Sequence, residues 1–473
     1  MKPRSAEEGR LSEGMVLAPV ALGTMLAPLN STMIAVAIPS LLEDFGRSLA
    51  WGSWIVASYL VAMAAVQPLG GALGDRYGRR RLFLIGLTLF LVATVVAALS
   101  WRIEVLLVAR TVQAISGAAA IPNGTALVRS LVPPERRGRA FGNVGSAIAV
   151  AAGLGPPIGG ILTAALGWRW IFAANVLLLA PALVLGWRLA ADSPASQPGR
   201  FDLRGATLLT LGLVSLVLAL TVWRLPGVPL ALAPALGLFV AVSGLALTRH
   251  AKRSPNPVLN FGLLRTRGFT SAVSTVLLSN LAMYTLLLSL PLFLEGWSTW
   301  GSAQVGLLLA GLSLPTIFLS PLGGRLSDRV GRRTPAVVGA CLISLGILPF
   351  LAIGPTWSWL LYLFPLILVG AGLGLSMAPV QATAIETAPS SQTGQAAGLF
   401  STMRYLGSIL GSSIMAAVLI GRIPPVENFR LLYAALFLSA CGAILASWRL
   451  PVWLKRGEDH EAEPSIAPEQ ASK

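Results

Sequence analysis

"PLGGALGDRYGRR", residues 68–80, returns as "PLGGRLSDRVGRR", residues 321–333. Ten of the thirteen positions match, at an offset of 253 residues. Each copy closes an apolar run with PLGG. Each then carries an aspartate, Asp75 or Asp328, and three shared arginines: Arg76, Arg79 and Arg80, or Arg329, Arg332 and Arg333. Glycines such as Gly71 and Gly78 allow a tight turn and close backbone approach. The aspartates are placed to receive an arginine or a helix N-terminus. A chain that repeats such a turn so far apart is built from two related halves.

The surrounding composition says what kind of halves. Of the 473 residues, 55% are hydrophobic and 11% charged, against about a quarter charged in soluble proteins. Fourteen apolar runs are long enough to cross a bilayer as helix: 15–42, 53–72, 82–101, 103–126, 141–165, 169–190, 205–223, 228–248, 268–294, 302–322, 334–353, 357–381, 392–420 and 431–450. Lipid offers no partner to a bare backbone, which forces helix. The net charge of +16 is spread in small clusters between runs, so nucleic acid is not the expected partner; the lipid bilayer is. With the N-terminus in the cytoplasm, all but eight of the 35 Lys and Arg fall in the tails and cytoplasmic loops, the positive-inside pattern. Six lie on the other face, and Arg110 and Arg404 lie within runs. Both termini are expected in the cytoplasm of a multi-pass inner-membrane protein, with an uncleaved first helix. Tryptophans such as Trp101, Trp168, Trp170 and Trp357 mark predicted outer ends.

The organisation follows: a tail at 1–14, a six-helix bundle at 15–190, a linker with two extra helices at 191–267, a second six-helix bundle at 268–450, and a disordered cytoplasmic tail at 451–473. The two extra helices carry no charge in their apolar runs and are expected to be a lipid-facing bridge outside the transport path. Rocking of two repeated bundles about a central site is a transporter device. No GxxxxGK[ST] loop occurs, so ATP is not the expected fuel. No HExxH occurs, and Cys341, Cys441, His250 and His460 are scattered. Neither an enzyme, a metal site nor a bound cofactor is expected.

"GGALGDRYGRRR" (70–81) resembles the loop 2–3 signature of the major facilitator superfamily. "RTVQAISGAAA" (110–120) resembles its helix-4 motif, and "GLGPPIGG" (153–160) the helix-5 motif associated with exporters. "GWRWIFAANV", "FDLRGATLL" and "LNSTMIAVAIP" (29–39) resemble segments of the fourteen-helix drug:proton antiporter branch. The resemblance implies an all-α fold of two six-helix bundles plus two inserted helices. It implies that the first aspartate holds the outward-open form, that helix 5 gates or seals, and that Arg110 lines the central cavity.

One departure matters. That branch usually carries aspartate where this chain has Asn30, and an amide does not titrate. No Asp or Glu lies deep in any run; the nearest include Glu295 at an outer mouth and Glu386 at the inner mouth. Arg404 lies within about 3 Å of the middle of its run and Arg110 within about 7 Å, at 1.5 Å per residue. A central arginine costs on the order of 2.5–3.5 kcal/mol to insert and usually faces a wet cavity or a partner. Gln113 shares a face with Arg110. Tyr59, Gln67, Asn143, Asn175, Asn280, Tyr284 and Gln381 are further polar residues within runs. In helix 5, Gly153, Gly155, Gly159 and Gly160 form a small-residue groove and Pro156 and Pro157 bend the helix; gating and plain helix packing are both open. So are two transport readings. One is a proton-coupled exporter of amphipathic drugs or small metabolites, working as a monomer. The other is a transporter of neutral or anionic solutes with altered coupling.

Overall fold

A computed structural model describes residues 13–47, 49–189, 201–221, 229, 231–254, 257–298, 300, 302–419 and 424–452. The tails expected at 1–14 and 451–473 lie, but for two residues each, outside the described residues, as does the linker start at 191–200. Among the described residues there are fourteen α-helices: α1 (Glu13–Asp44), α2 (Leu49–Tyr77), α3 (Arg79–Ala98), α4 (Ile103–Leu131), α5 (Arg137–Leu166), α6 (Arg169–Trp187), α7 (Leu203–Thr221), α8 (Leu232–Ala251), α9 (Arg267–Trp297), α10 (Ser302–Val330), α11 (Arg333–Ile347), α12 (Trp359–Glu386), α13 (Thr393–Val418) and α14 (Val426–Trp448).

Thirteen of these helices are long and apolar enough to cross a membrane; α13 is not among them. Its own residues explain the difference. It carries Gln395, Ser401, Thr402, Arg404, Ser408, Ser412 and Ser413, and of its described side chains only that of Ala417 is exposed. A helix enclosed by α2, α4, α7, α9, α12 and α14 answers to its neighbours rather than to lipid. Its polarity is therefore allowed.

Helices α1–α6 pack together around Phe83, Phe90, Phe141 and Phe172, and α9–α14 around Phe293, Phe350, Phe429 and Tyr433. The two groups meet along two seams, α2 against α13 and α5 against α10. The seams are copies of one another. Ser146 donates to the Ile317 carbonyl at 2.7 Å, and Thr402 donates to the Ala64 carbonyl at 3.1 Å. Gly71 lies against the Gly394 carbonyl and Gly324 against the Gly138 carbonyl, so that a Cβ at either would overlap backbone. Gly398 is pressed against Gln67 and Pro68 just as Gly142 is against Ser320 and Pro321. The PLGG element is thus a contact surface: it lets two backbones cross where any side chain would hold them apart. The second partner of each crossing is also repeated. Pro133, Gly138, Ala140 and Gly142 recur as Pro389, Gly394, Ala396 and Gly398, at an offset of 256 residues.

Of the pair expected to form a lipid-facing bridge, α8 is exposed along most of its length and α7 is not. Helix α7 lies along the α2–α13 seam. Val217 is buried with Ala64, Leu406 and Ile409, and Ser413 donates to the Leu220 carbonyl at 2.7 Å. The reason is shape: the seam between two packed helices is a groove that a third apolar helix fills. Asp202 ties the α7–α8 pair down, accepting from the Gly205 and Val258 amides and contacting His250 Nε2 at 2.6 Å. Burial pushes its carboxyl up, but those amides and the imidazole hold it below the usual carboxylate range. Trp168, expected in the headgroup layer, is buried instead and donates to Asp44 at 3.0 Å.

Gly71→Val and Gly324→Val should each lower the thermal unfolding temperature of the purified protein, by overpacking of about 1–3 kcal/mol. Gly237→Val, on the exposed helix α8 with nothing within 4 Å of its Cβ position, should leave it within experimental scatter. Tryptophan fluorescence during heating reads all three.

Candidate functional site

At the end of the molecule that carries the repeated turns, each aspartate caps a helix of the opposite group. Asp75, 4% exposed, accepts from the Gly394 amide at 2.8 Å and the Gln395 amide at 2.9 Å, in the first turn of α13. Asp328 accepts from the Gly138 and Arg139 amides at 2.9 Å, in the first turn of α5. Those amides have no partner within their own helix, and a carboxylate there also meets the positive end of the helix dipole.

An arginine holds each aspartate. Arg79 donates to Asp75 at 2.9 Å and to Ser130 at 2.7 Å; Arg332 donates to Asp328 at 2.8 Å and to Glu386 at 2.9 Å. Arg129 adds a further bridge between the groups, donating to the Ile385 and Ala388 carbonyls and to Thr393. Gly78 and Gly331 make the turns with φ of +102° and +91°, a region that favours glycine. Arg80 caps the end of α6 at the Gly186 and Trp187 carbonyls, Arg76 lies over the Tyr77 ring, and Arg329 is exposed.

Glu386 lies at this clamped end, paired with Arg332. Its carboxylate is not freely solvated: α12 extends as far as Glu386, whose side chain is 10% exposed and paired with Arg332. It occupies in one half the place of Ser130 in the other. The side chain of Glu295, on α9, lies outside the described residues. At the other end of the molecule the described ion pairs, Arg47–Glu104 and Asp44–Arg169, stay within the first group. There Arg169 and Trp168 bond Asp44 and hold its carboxyl below the usual range.

The second constellation lies at mid-depth. Tyr59 is 16 residues before Asp75 on α2, about 24 Å away at 1.5 Å per residue. The Tyr59 ring carries the Arg110 guanidinium 4.3 Å above it. Arg110 is 1% exposed, and its one described hydrogen bond reaches Gln113 Oε1 at 3.3 Å; its Nε has no partner among the described residues, nor has the Tyr59 hydroxyl. Gln113 Oε1 also accepts from Asn30 Nδ2 at 3.2 Å, and Gln113 Nε2 donates to Thr94 at 2.8 Å. Asn175 Nδ2 approaches Asn30 Oδ1 at 3.4 Å. Asn30 and Arg110 thus share one acceptor, which places residue 30 beside the guanidinium.

Two of the expected residues on the second group, Arg404 and Tyr284, join this cluster indirectly. Arg404 stands 5.6 Å from the Tyr405 ring, and Tyr59 lies within electrostatic reach of Tyr405 and Tyr284. Tyr405 was missed in the sequence, although it adjoins Arg404. Gln67, two turns from Tyr59 on α2, is buried, and neither of its side-chain polar atoms is bonded among the described residues. Asn280 instead bonds the Val276 carbonyl of its own helix.

The helix-5 glycines divide between two neighbours. Gly155 and Gly159 lie against Thr32 and Met33 of α1, Gly160 is near Val36, and Gly153 faces Ser313 of α10. Helix α5 runs unbroken through Pro156 and Pro157.

Comparison with known proteins agrees with this architecture. The Major Facilitator Superfamily model matches residues 20–412. The chain is 34% identical over 410 residues to the uncharacterized MFS-type transporter YvkA of Bacillus subtilis (strain 168), covering 86% of this chain and 90% of that one. It is 31% identical over 407 residues to the multidrug resistance protein Stp of Mycobacterium tuberculosis (strain CDC 1551 / Oshkosh), covering 86% and 75%. The solved structure of the proton:xylose symporter XylE shares the fold, with a TM-score of 0.65 and 18% identity over 92% of this chain and 94% of that one. The chain belongs to the Major Facilitator Superfamily, a family of transporters and not of enzymes, and is a multi-pass membrane protein.

Asp75→Asn should leave the protein expressed and folded but loosen the α2–α13 crossing. In a background with Cys341 and Cys441 replaced by alanine, maleimide labelling of the buried position Ala397→Cys should rise about tenfold, the equivalent of ~1.4 kcal/mol. Unchanged labelling would remove the aspartate from the closure.

Proposed function

We propose that this member of the superfamily is a secondary active exporter that moves amphipathic small molecules out of the cell by alternating access. The observation that carries the reading is the pair of equivalent clamps. They tie α1–α6 to α9–α14 at one end, over a mid-depth cluster in which the Arg110 Nε and the Tyr59 hydroxyl have no partner among the described residues. A transporter needs both features: contacts that break and reform between two rigid groups, and unsatisfied groups for a solute to satisfy.

On this reading all fourteen helices cross the inner membrane, the clamped end with its arginines and both termini face the cytoplasm, and the described conformation opens away from it. The rigid groups are 15–190 and 268–450, joined by the linker 191–267, and the protein works as a monomer. Asp75 and Asp328, with Arg79 and Arg332, hold the cytoplasmic side shut. Asn30, Tyr59, Arg110, Gln113, Tyr284 and Arg404 face the solute's path, and the tight α1–α5 packing at Gly155 and Gly159 seals its outer part. The multidrug resistance activity named for Stp supports drugs as one class of cargo.

A specific observation favours altered coupling. Asn30 donates to Gln113 and is approached by Asn175, so the position is built around an amide that carries no proton charge. Proton antiport would have to use Arg110, Glu295 or Glu386, and Glu386 is engaged with Arg332.

Reconstituted in vesicles, the protein should exchange amphipathic dyes across the bilayer, and Asp75→Asn should slow that exchange severalfold; absence of exchange for every dye in a panel of cations, neutrals and anions would overturn the exporter reading. Asn30→Asp places a titratable carboxylate beside Arg110. Exchange by this variant should change severalfold between pH 6 and pH 8 with no gradient imposed, whereas the parent protein should stay level.

A further inference from the structure

We infer that the mid-depth site takes an amphipathic organic anion, an aromatic body bearing one carboxylate or sulfonate, with Arg110 and Arg404 as its charge partners; this rests on the exporter reading.

The charge balance of the site points there. Neither guanidinium forms an ion pair with any described carboxylate. The acids that could serve are engaged near the two ends of the molecule: Asp75 with Arg79, Asp328 and Glu386 with Arg332, Asp44 with Arg169, Glu104 with Arg47, and Asp202 with His250. Glu295 is eleven residues from Tyr284 along α9, about 16 Å. What surrounds the two arginines is phenol and amide. A stacked ring and one long hydrogen bond return only part of the solvation that a buried guanidinium loses. The Arg110 Nε and the Tyr59 hydroxyl have no partner among the described residues, and both side chains are almost wholly buried. An oxyanion accepts from both kinds of donor; a cation would meet two like charges and no carboxylate.

The site is also open enough and apolar enough for such a guest. Helix α13 is enclosed on its sides by other helices, yet Arg404 and Tyr405, with Tyr284 on α9, keep accessible surface. Around Tyr59 the walls are Ala27, Met63, Ala114, Ala118 and Ile121, which with the three phenol rings would hold an aromatic body.

The same assignment accounts for the amide at residue 30. A carboxylate there would neutralise Arg110. An exported anion also moves down the electrical gradient of a cell whose interior is negative, by a factor of about fifty per 100 mV for one charge. Such cargo needs no counter-moving proton.

The test uses two permanently charged fluorescent probes, 2-naphthalenesulfonate and ethidium, on the full-length protein in phosphatidylcholine vesicles. The sulfonate should bind at least tenfold more tightly than ethidium. Arg110→Gln and Arg404→Gln should each weaken it about tenfold or more, Arg404→Lys should recover most of the loss, and a potassium–valinomycin potential without a pH gradient should drive its flux. Arg404 is half-buried, so its variants carry the test if Arg110→Gln does not fold. Added phosphatidylglycerol that displaces the sulfonate assigns the anion to a lipid; no displacement assigns it to a soluble solute. Equal or tighter ethidium binding, or sulfonate binding unchanged in both glutamine variants, overturns the inference. Ethidium moved with the sulfonate neither bound nor moved would sink the anion while leaving the exporter. Sulfonate bound at the arginines but not moved would keep the anion and sink the exporter. Neither probe bound nor moved would sink both.

Discussion

Four backbone amides, two in the first turn of α5 and two in the first turn of α13, begin helices with no acceptor of their own. Each pair is answered by an aspartate from the opposite half of the chain, Asp328 or Asp75, and each aspartate is held by an arginine four residues on. Among the described residues, the arrangement joins the two groups of helices at one end of the molecule. Glycine at Gly71, Gly138, Gly324 and Gly394 is what lets the carboxylates come so close, since the backbones touch where side chains would stand. Charge-assisted hydrogen bonds of this kind contribute on the order of 1.5–3 kcal/mol each.

The two clamps are alike in backbone and unlike in charge. Arg79 meets Ser130, whereas Arg332 meets Glu386. Helix α7 adds a second asymmetry, because it fills the α2–α13 seam and has no equivalent among the contacts of the α5–α10 seam. A molecule with a repeated frame thus has two seams with different loads. About 24 Å from the clamp along α2, the frame surrounds a site with the opposite problem. There the donors outnumber the acceptors, and the arginines stand among phenols and amides.

Much of the frame was legible before any coordinates. The repeat of ten residues in thirteen announced two halves, and fourteen apolar runs correspond one for one with fourteen helices. The aspartates were read as partners for an arginine or a helix N-terminus, and each meets both. Their targets were not legible. The matching segments at 133–142 and 389–398 agree at four positions only, since what they supply is backbone N–H, which any residue supplies. Glu386 was placed at a solvated mouth because a linear reading sees a carboxylate beyond an apolar run and cannot see Arg332, 54 residues away, turning toward it. Tyr405 was passed over for a similar reason: its neighbour Arg404 is charged and conspicuous, while a tyrosine on an otherwise mixed helix carries no signal of facing Tyr59 across a seam.

The sequence by itself determined that the backbone must be helical, how many helices there are, and that the chain is a duplicated frame with charged turns. These follow from properties each residue carries alone or with near neighbours: apolarity, the freedom of glycine, the charge of arginine. The tertiary structure decided which helix each turn caps, that α7 packs in a seam while α8 lies exposed, that α13 is enclosed by other helices, and that Asn30 and Arg110 share the oxygen of Gln113. Those facts depend on groups far apart in the chain arriving within three or four ångströms of each other, and hydrogen bonds and close backbone crossings exist only at that range.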